Sequence, residues 1–203
     1  MRIIRRSGRA AAAMLLALCL CLGAAGGRAG EEQVTFARLA GLEWSFSSGV
    51  GAWSTELHIY EDGSFVGEYH DGEMGETGEG FPGGTVYLCD FSGKMSLGQQ
   101  VDDHSWEIRV DSLELQMEPG QELIEDGVRT VISEPYGLRE GDVMRLYLPG
   151  TPTEEFTEEM RIWAHLFEME EAPAELTDWF LYSAENESGF VGWTPEPAEI
   201  PDD

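Results

Sequence analysis

The densest collection of side chains able to do chemistry lies between Glu68 and Glu79. Glu68, His70, Asp71, Glu73, Glu76 and Glu79 fall there, interleaved with Gly72, Gly75, Gly78 and Gly80. Carboxylate and carbonyl oxygens in a loop that glycines let fold tightly are what calcium requires. The spacing matches no EF-hand, so the run reads as a solvated acidic loop with the chemistry of a weak calcium site. Four histidines (His58, His70, His104 and His165) show no metal-ligand spacing on a common helix face. Cys89 is set in the apolar run YLCDF, where a buried, inert thiol is expected rather than a nucleophile. No G-x-S-x-G elbow and no phosphate-binding loop is present, because GETGEGFPGG lacks the Lys-Ser/Thr ending. Pairs of carboxylates carry almost no information in a chain with 39 of them.

These residues must be positioned by strands. From Trp53 to Lys94 apolar side chains recur with a period of two: Trp53, Leu57 and Ile59, then Phe65 and Tyr69 beyond a turn at Glu61-Asp62-Gly63. One face of this hairpin is apolar and the other wet. The segment from His70 to Gly84 reads as a long loop. Further strands are expected over GLEWSF (41–46), TVYLCDFSGKMSL (85–97), SWEIRVDSLELQM (105–117), EDGVRTVIS (125–133), GDVMRLYLPG (141–150), DWFLYSAE (178–185) and GFVGW (189–193). At Asp111-Ser112 the alternation changes phase, which predicts a bulge or a turn. One helix is expected over about 153–168, capped by Thr153, with Phe156, Met160, Trp163 and Phe167 on one face. Residues 31–38 read as a lead-in, a short helix laid across the barrel opening.

Charge and cysteine count bound the rest. The chain has 39 acidic and 12 basic residues, a formal net charge of −27. Such a surface repels nucleic acids and anionic membranes and favours cations and basic protein partners. A basic start (Arg2, Arg5, Arg6, Arg9), an apolar run from Ala11 to Gly23 and small residues up to Ala29 read as a signal peptide over 1–29. The apolar run is shorter than a bilayer span. Cys19 and Cys21 leave with it, so Cys89 has no intramolecular partner and the fold must stand on its core. A single domain over 30–194 and a disordered acidic tail over 195–203 complete the organisation.

Some eight or nine short antiparallel strands and one late helix predict an all-β, antiparallel up-and-down barrel. Gly41 and Trp44, the hairpin around Asp62-Gly63 and the helix from Thr153 resemble the lipocalin-like (calycin) barrels. In those proteins one residue separates the early Gly and Trp; here Leu42 and Glu43 do. The segments SSGVGAWSTEL, DGSFVGEYHD and SEPYGL are similar to those of uncharacterised secreted proteins of anaerobic Gram-positive bacteria. That likeness brings no known activity with it; the residues themselves read as an exported monomer that binds rather than catalyses. Its ligand would be a small apolar molecule in a barrel mouth lined by Trp44, Leu57, Phe65 and Tyr87, or a cation or protein at the acidic loop 68–80. The alternatives are a structural or inhibitory surface protein without a small ligand, and a carboxylate-dependent hydrolase. Trp53 and Trp193, near strand ends, are candidates to stack on a sugar or an apolar ligand.

Overall fold

A computed structural model describes residues 34–49, 51–166 and 172–196. The signal-peptide reading, Phe167 and the end of the acidic tail lie outside these residues. Ten strands form one sheet: β1 (Glu43–Ser47), β2 (Trp53–Ile59), β3 (Ser64–Glu73), β4 (Thr85–Asp102), β5 (Ser105–Leu115), β6 (Glu122–Glu125), β7 (Val128–Ile132), β8 (Val143–Tyr147), β9 (Trp179–Ser183) and β10 (Ser188–Trp193). Eight of them close into an antiparallel barrel in the order β1-β2-β3-β4-β5-β8-β9-β10 and back to β1. The meander is interrupted only by the β6–β7 hairpin. It leaves the ring and pairs in parallel with the start of β4, from Thr85↔Arg129 to Leu88↔Ile132.

Alternation places the core. Trp44, Phe46, Leu57, Ile59, Phe65, Phe91, Ile108, Leu146, Leu181 and Phe190 are buried and pack together inside the ring. Closure removes the sheet edges that these strands would otherwise expose. β4 is long enough to serve three neighbours, with residues 85–94 against β3, 91–102 against β5 and 85–88 against β7. The phase change foreseen at Asp111-Ser112 is a β-bulge in a continuous β5. Lys94 faces Ser112 and Met95 faces Val110, which leaves Asp111 as the extra residue. Its carboxylate accepts from the Ser96 hydroxyl at 2.9 Å.

The two ends of the barrel are closed differently. At one end the short helix α1 (Phe36–Leu39) buries Leu39 completely and lays Phe36 over Gly63 of the β2–β3 turn. At the other end Phe46 is surrounded by Trp53, Tyr136, Trp163 and Phe190, with ring centroids 4.9–5.4 Å apart.

The late helix differs from its expected bounds. Thr153 is held in an extended segment, where its amide donates to the Ala174 carbonyl and its hydroxyl to Pro173. The helix α2 (Glu158–Trp163) therefore starts one turn later, on Thr157, whose hydroxyl accepts from the Met160 amide at 3.2 Å. It stops at His165, which takes a left-handed φ of 56°. Phe156 and Met160 share the expected face. That face packs on the outside of the barrel, against Tyr147, Phe180, Tyr182 and Val191 of β8, β9 and β10.

Candidate functional site

α2 covers the outer wall over β8–β10, and among the described residues no helix covers the outer wall over β1–β4. The hairpin register places Glu56 of β2 opposite Glu68 of β3, and the β3–β4 register places Glu68 opposite Asp90. Three carboxylates thus stand in a row across three adjacent strands. Neighbours in such a row are about 5 Å apart at Cβ, and like charges there repel. The row crosses a groove of about 520 Å³ whose lining also includes Glu43, His58, Val66, Gln116 and Trp193. None of the lining residues is a lysine or an arginine. Trp193 and Glu43 are themselves cross-strand partners, so an aromatic ring stands beside a fourth carboxylate at one end.

Glu68 and Asp90 also line a second cavity of about 320 Å³, with His70, Leu88, Met117 and Ile132. The two cavities form a trough with an acidic centre and apolar ends. Val66, Leu88 and Met117 are each exposed to 38% or more. The arrangement suits a cation that is also partly apolar. Carboxylates attract the charge, and an indole face can hold an ammonium or guanidinium group.

Of the residues expected to hold a ligand, Trp44 and Leu57 are among those lining the groove, whereas Phe65 and Tyr87 line neither cavity. Trp44, Leu57 and Phe65 are core residues, exposed to 4% or less, and Phe65 packs edge-on against Phe91. Tyr87 is half-buried, and its hydroxyl donates to Glu76 at 2.6 Å. Of the acidic run, Glu68, His70, Asp71 and Glu73 lie in β3, which continues through Glu73 where a loop was expected from His70. Pairing with β4 down to Glu73↔Thr85 satisfies the backbone there. Strand alternation turns Glu68 and His70 to the opposite face from Asp71 and Glu73.

Glu76 does lie in the loop, and there it is a clamp. Its carboxylate meets the Arg129 guanidinium at 2.6 Å and the Tyr87 hydroxyl, and its carbonyl accepts from Thr85 at 2.8 Å. The Tyr87 hydrogen bond, then Arg129, holds its pKa below the usual carboxylate range. Glu79 is exposed. Among the described residues, no three His, Cys, Asp or Glu side chains converge as a metal-ligand group.

Three carboxylates have clearly displaced pKa values, and all are lowered. They are Glu76, Asp62 and Asp102. Burial pulls Asp102 upward, but the Ser105 side chain, the His104 amide and the Arg145 guanidinium together outweigh it. The Cys89 thiol is buried and pushed up to about 11 by that burial, as suits an inert core thiol.

Of the groove, the sequence singled out Trp44 and Leu57 as ligand-lining residues, Glu68 as part of a loop, and His58 and Trp193. Glu56 could have been found as the partner of Glu68 by counting back from the Asp62-Gly63 turn. Asp90 could not, since the connection from β3 to β4 gives no register. Trp53 and Trp193 do not form a pair. Trp53 belongs to the aromatic group inside one barrel end, 5.0 Å from Tyr136, whereas Trp193 lies on the outer wall. No protein-family model matches the chain, and no curated protein and no solved structure matches it either.

Proposed function

We propose that the chain is an exported, non-enzymatic binding protein that takes a cationic organic ligand on the bare outer wall of its barrel. The observation that carries this reading is the row Glu56–Glu68–Asp90 in a groove with Trp193 at its end and no lysine or arginine in its lining. Export rests on the basic and apolar residues at the start of the chain. The eight-strand antiparallel meander is compatible with the lipocalin-like resemblance. The interior that such barrels offer to ligands is here packed with aromatic and aliphatic side chains. Strong net negative charge adds long-range attraction for a cation.

The test is isothermal titration calorimetry with spermidine at low salt. Saturable binding is expected, weakened more than about tenfold, or about 1.4 kcal/mol, when Glu56→Gln and Glu68→Gln are combined. Absence of binding, or equal binding by the double variant, would overturn the reading. The aromatic end of the barrel favours a second reading, a small apolar ligand entering beside Trp53 and Tyr136. The buried indole N–H of Trp163 has no acceptor there. A chelator-insensitive mass of a few hundred daltons retained in native mass spectrometry would favour it.

A further inference from the structure

Among the described residues the sheet has an open edge. Eight strands close on themselves, but the β6–β7 hairpin departs from β4, and β6 ends the strand order with a neighbour on one side only. The hairpin turn determines which backbone groups of β6 are unused. Asp126 and Gly127 both have positive φ, 51° and 80°, the signature of a two-residue turn between Glu125 and Val128. The pair closing such a turn exchanges hydrogen bonds, and bonded pairs recur at every second residue. Glu125↔Val128 and Leu123↔Thr130 are therefore the bonded pairs. The Ile132 amide donating to the Gln121 carbonyl at 2.9 Å continues the same alternation. It follows that the N–H and C=O groups of Glu122 and Ile124 point away from β7.

All four residues of β6 are exposed, Leu123 at 60% and Ile124 at 49%. Free edges are usually blunted by proline, lysine, a bulge or a covering element. β6 (ELIE) contains no proline and no lysine, and its register with β7 is unbroken. Its charges are two glutamates, one at each end.

We propose that β6 is a docking edge, which adds an extended segment of a different protein to the sheet, with a basic residue near each end of that segment. Main-chain bonds to Glu122 and Ile124 supply the pairing, as in other strand-addition complexes. Leu123 and Ile124 offer an apolar contact on each face. A second copy of this chain is a poor occupant. Antiparallel pairing of β6 with itself through the outward groups of Glu122 and Ile124 sets Glu122 of one copy opposite Ile124 of the other and crowds the four glutamates of the two short strands together, and each chain carries a net charge of −27. This inference is independent of the groove.

The test uses the full chain and a fluorescein-labelled, end-blocked peptide, Lys-Thr-Val-Thr-Val-Lys, followed by fluorescence anisotropy and by amide hydrogen exchange. Saturable binding is expected, with slowed exchange at the Ile124 amide. Ile124→Pro removes the outward donor without touching the hairpin ladder, a placement that edge strands tolerate. It should weaken binding more than tenfold while leaving the circular dichroism spectrum and Tm unchanged. A second variant combines Glu122→Lys and Glu125→Lys and should switch preference to the peptide ended by glutamates. The proposal fails if wild type does not bind, or if Ile124→Pro binds as well as wild type. It fails equally if the Glu56→Gln, Glu68→Gln variant loses the peptide instead, or if sedimentation shows a dimer that Ile124→Pro dissolves.

Discussion

Asp62 shows how a surface residue can hold a turn. Its carboxylate accepts from the Ser64 amide at 2.9 Å and the Ser64 hydroxyl at 2.6 Å, and lies 3.1 Å from the Lys94 ammonium. The Ser64 bonds, then Lys94, lower its pKa well below the usual carboxylate range. A carboxylate whose pKa is depressed by folding contributes stability at pH values above its unfolded pKa, near 3.8. That contribution is lost as pH falls through the folded value. Asp62→Asn should therefore lower Tm at pH 7 by about 1–2 °C, since the group is exposed and screened. The gap between variant and wild type should close progressively in melts recorded below pH 4. An unchanged gap at low pH would mean that the turn owes nothing to the ionised form.

Among the elements, α2 has the clearest division of labour. Thr157 caps it, Glu158 and Glu159 sit in its first turn, and Arg161 reaches back to the Phe156 and Thr153 carbonyls at 3.1 and 2.7 Å. Thr157→Ala should cost about 1 kcal/mol in urea unfolding. Thr153→Ala should act through the lost bond to Pro173 rather than through the helix. The sequence made the strands and the bulge at Asp111 readable, because period two and its phase change are local signals. The apolar stripe Phe156–Met160 was readable for the same reason. The start of α2 was not, since Thr153 and Thr157 are both good caps and a long-range bond to Pro173 decides between them. The end of β3 was not readable either, because Gly72 and Glu73 favour a loop locally and only pairing with β4 extends the strand. Two of the three carboxylates in the row could have been paired by the same logic. Glu56 and Glu68 share a hairpin, whereas Asp90 joins them across a connection of no fixed length.

At the scale of the whole molecule, two surfaces of the barrel contrast. One is closed by a helix over Phe180 and Tyr182, and the other presents carboxylates to water. Net charge alone does not distinguish them; the register of three strands does. The ring is completed where β1 meets β10, through Glu43↔Trp193, Trp44↔Gly192 and Ser45↔Val191. The first barrel strand in the chain is thus bonded to the last. Ending the chain before Ser188 should leave Trp44 and Phe46 without their wall and abolish the cooperative thermal transition, as differential scanning calorimetry would record. A chain built this way cannot close its barrel before β10 has been made. Until β10 leaves the ribosome, β1 has one neighbour instead of two, and contacts so distant along the chain form slowly.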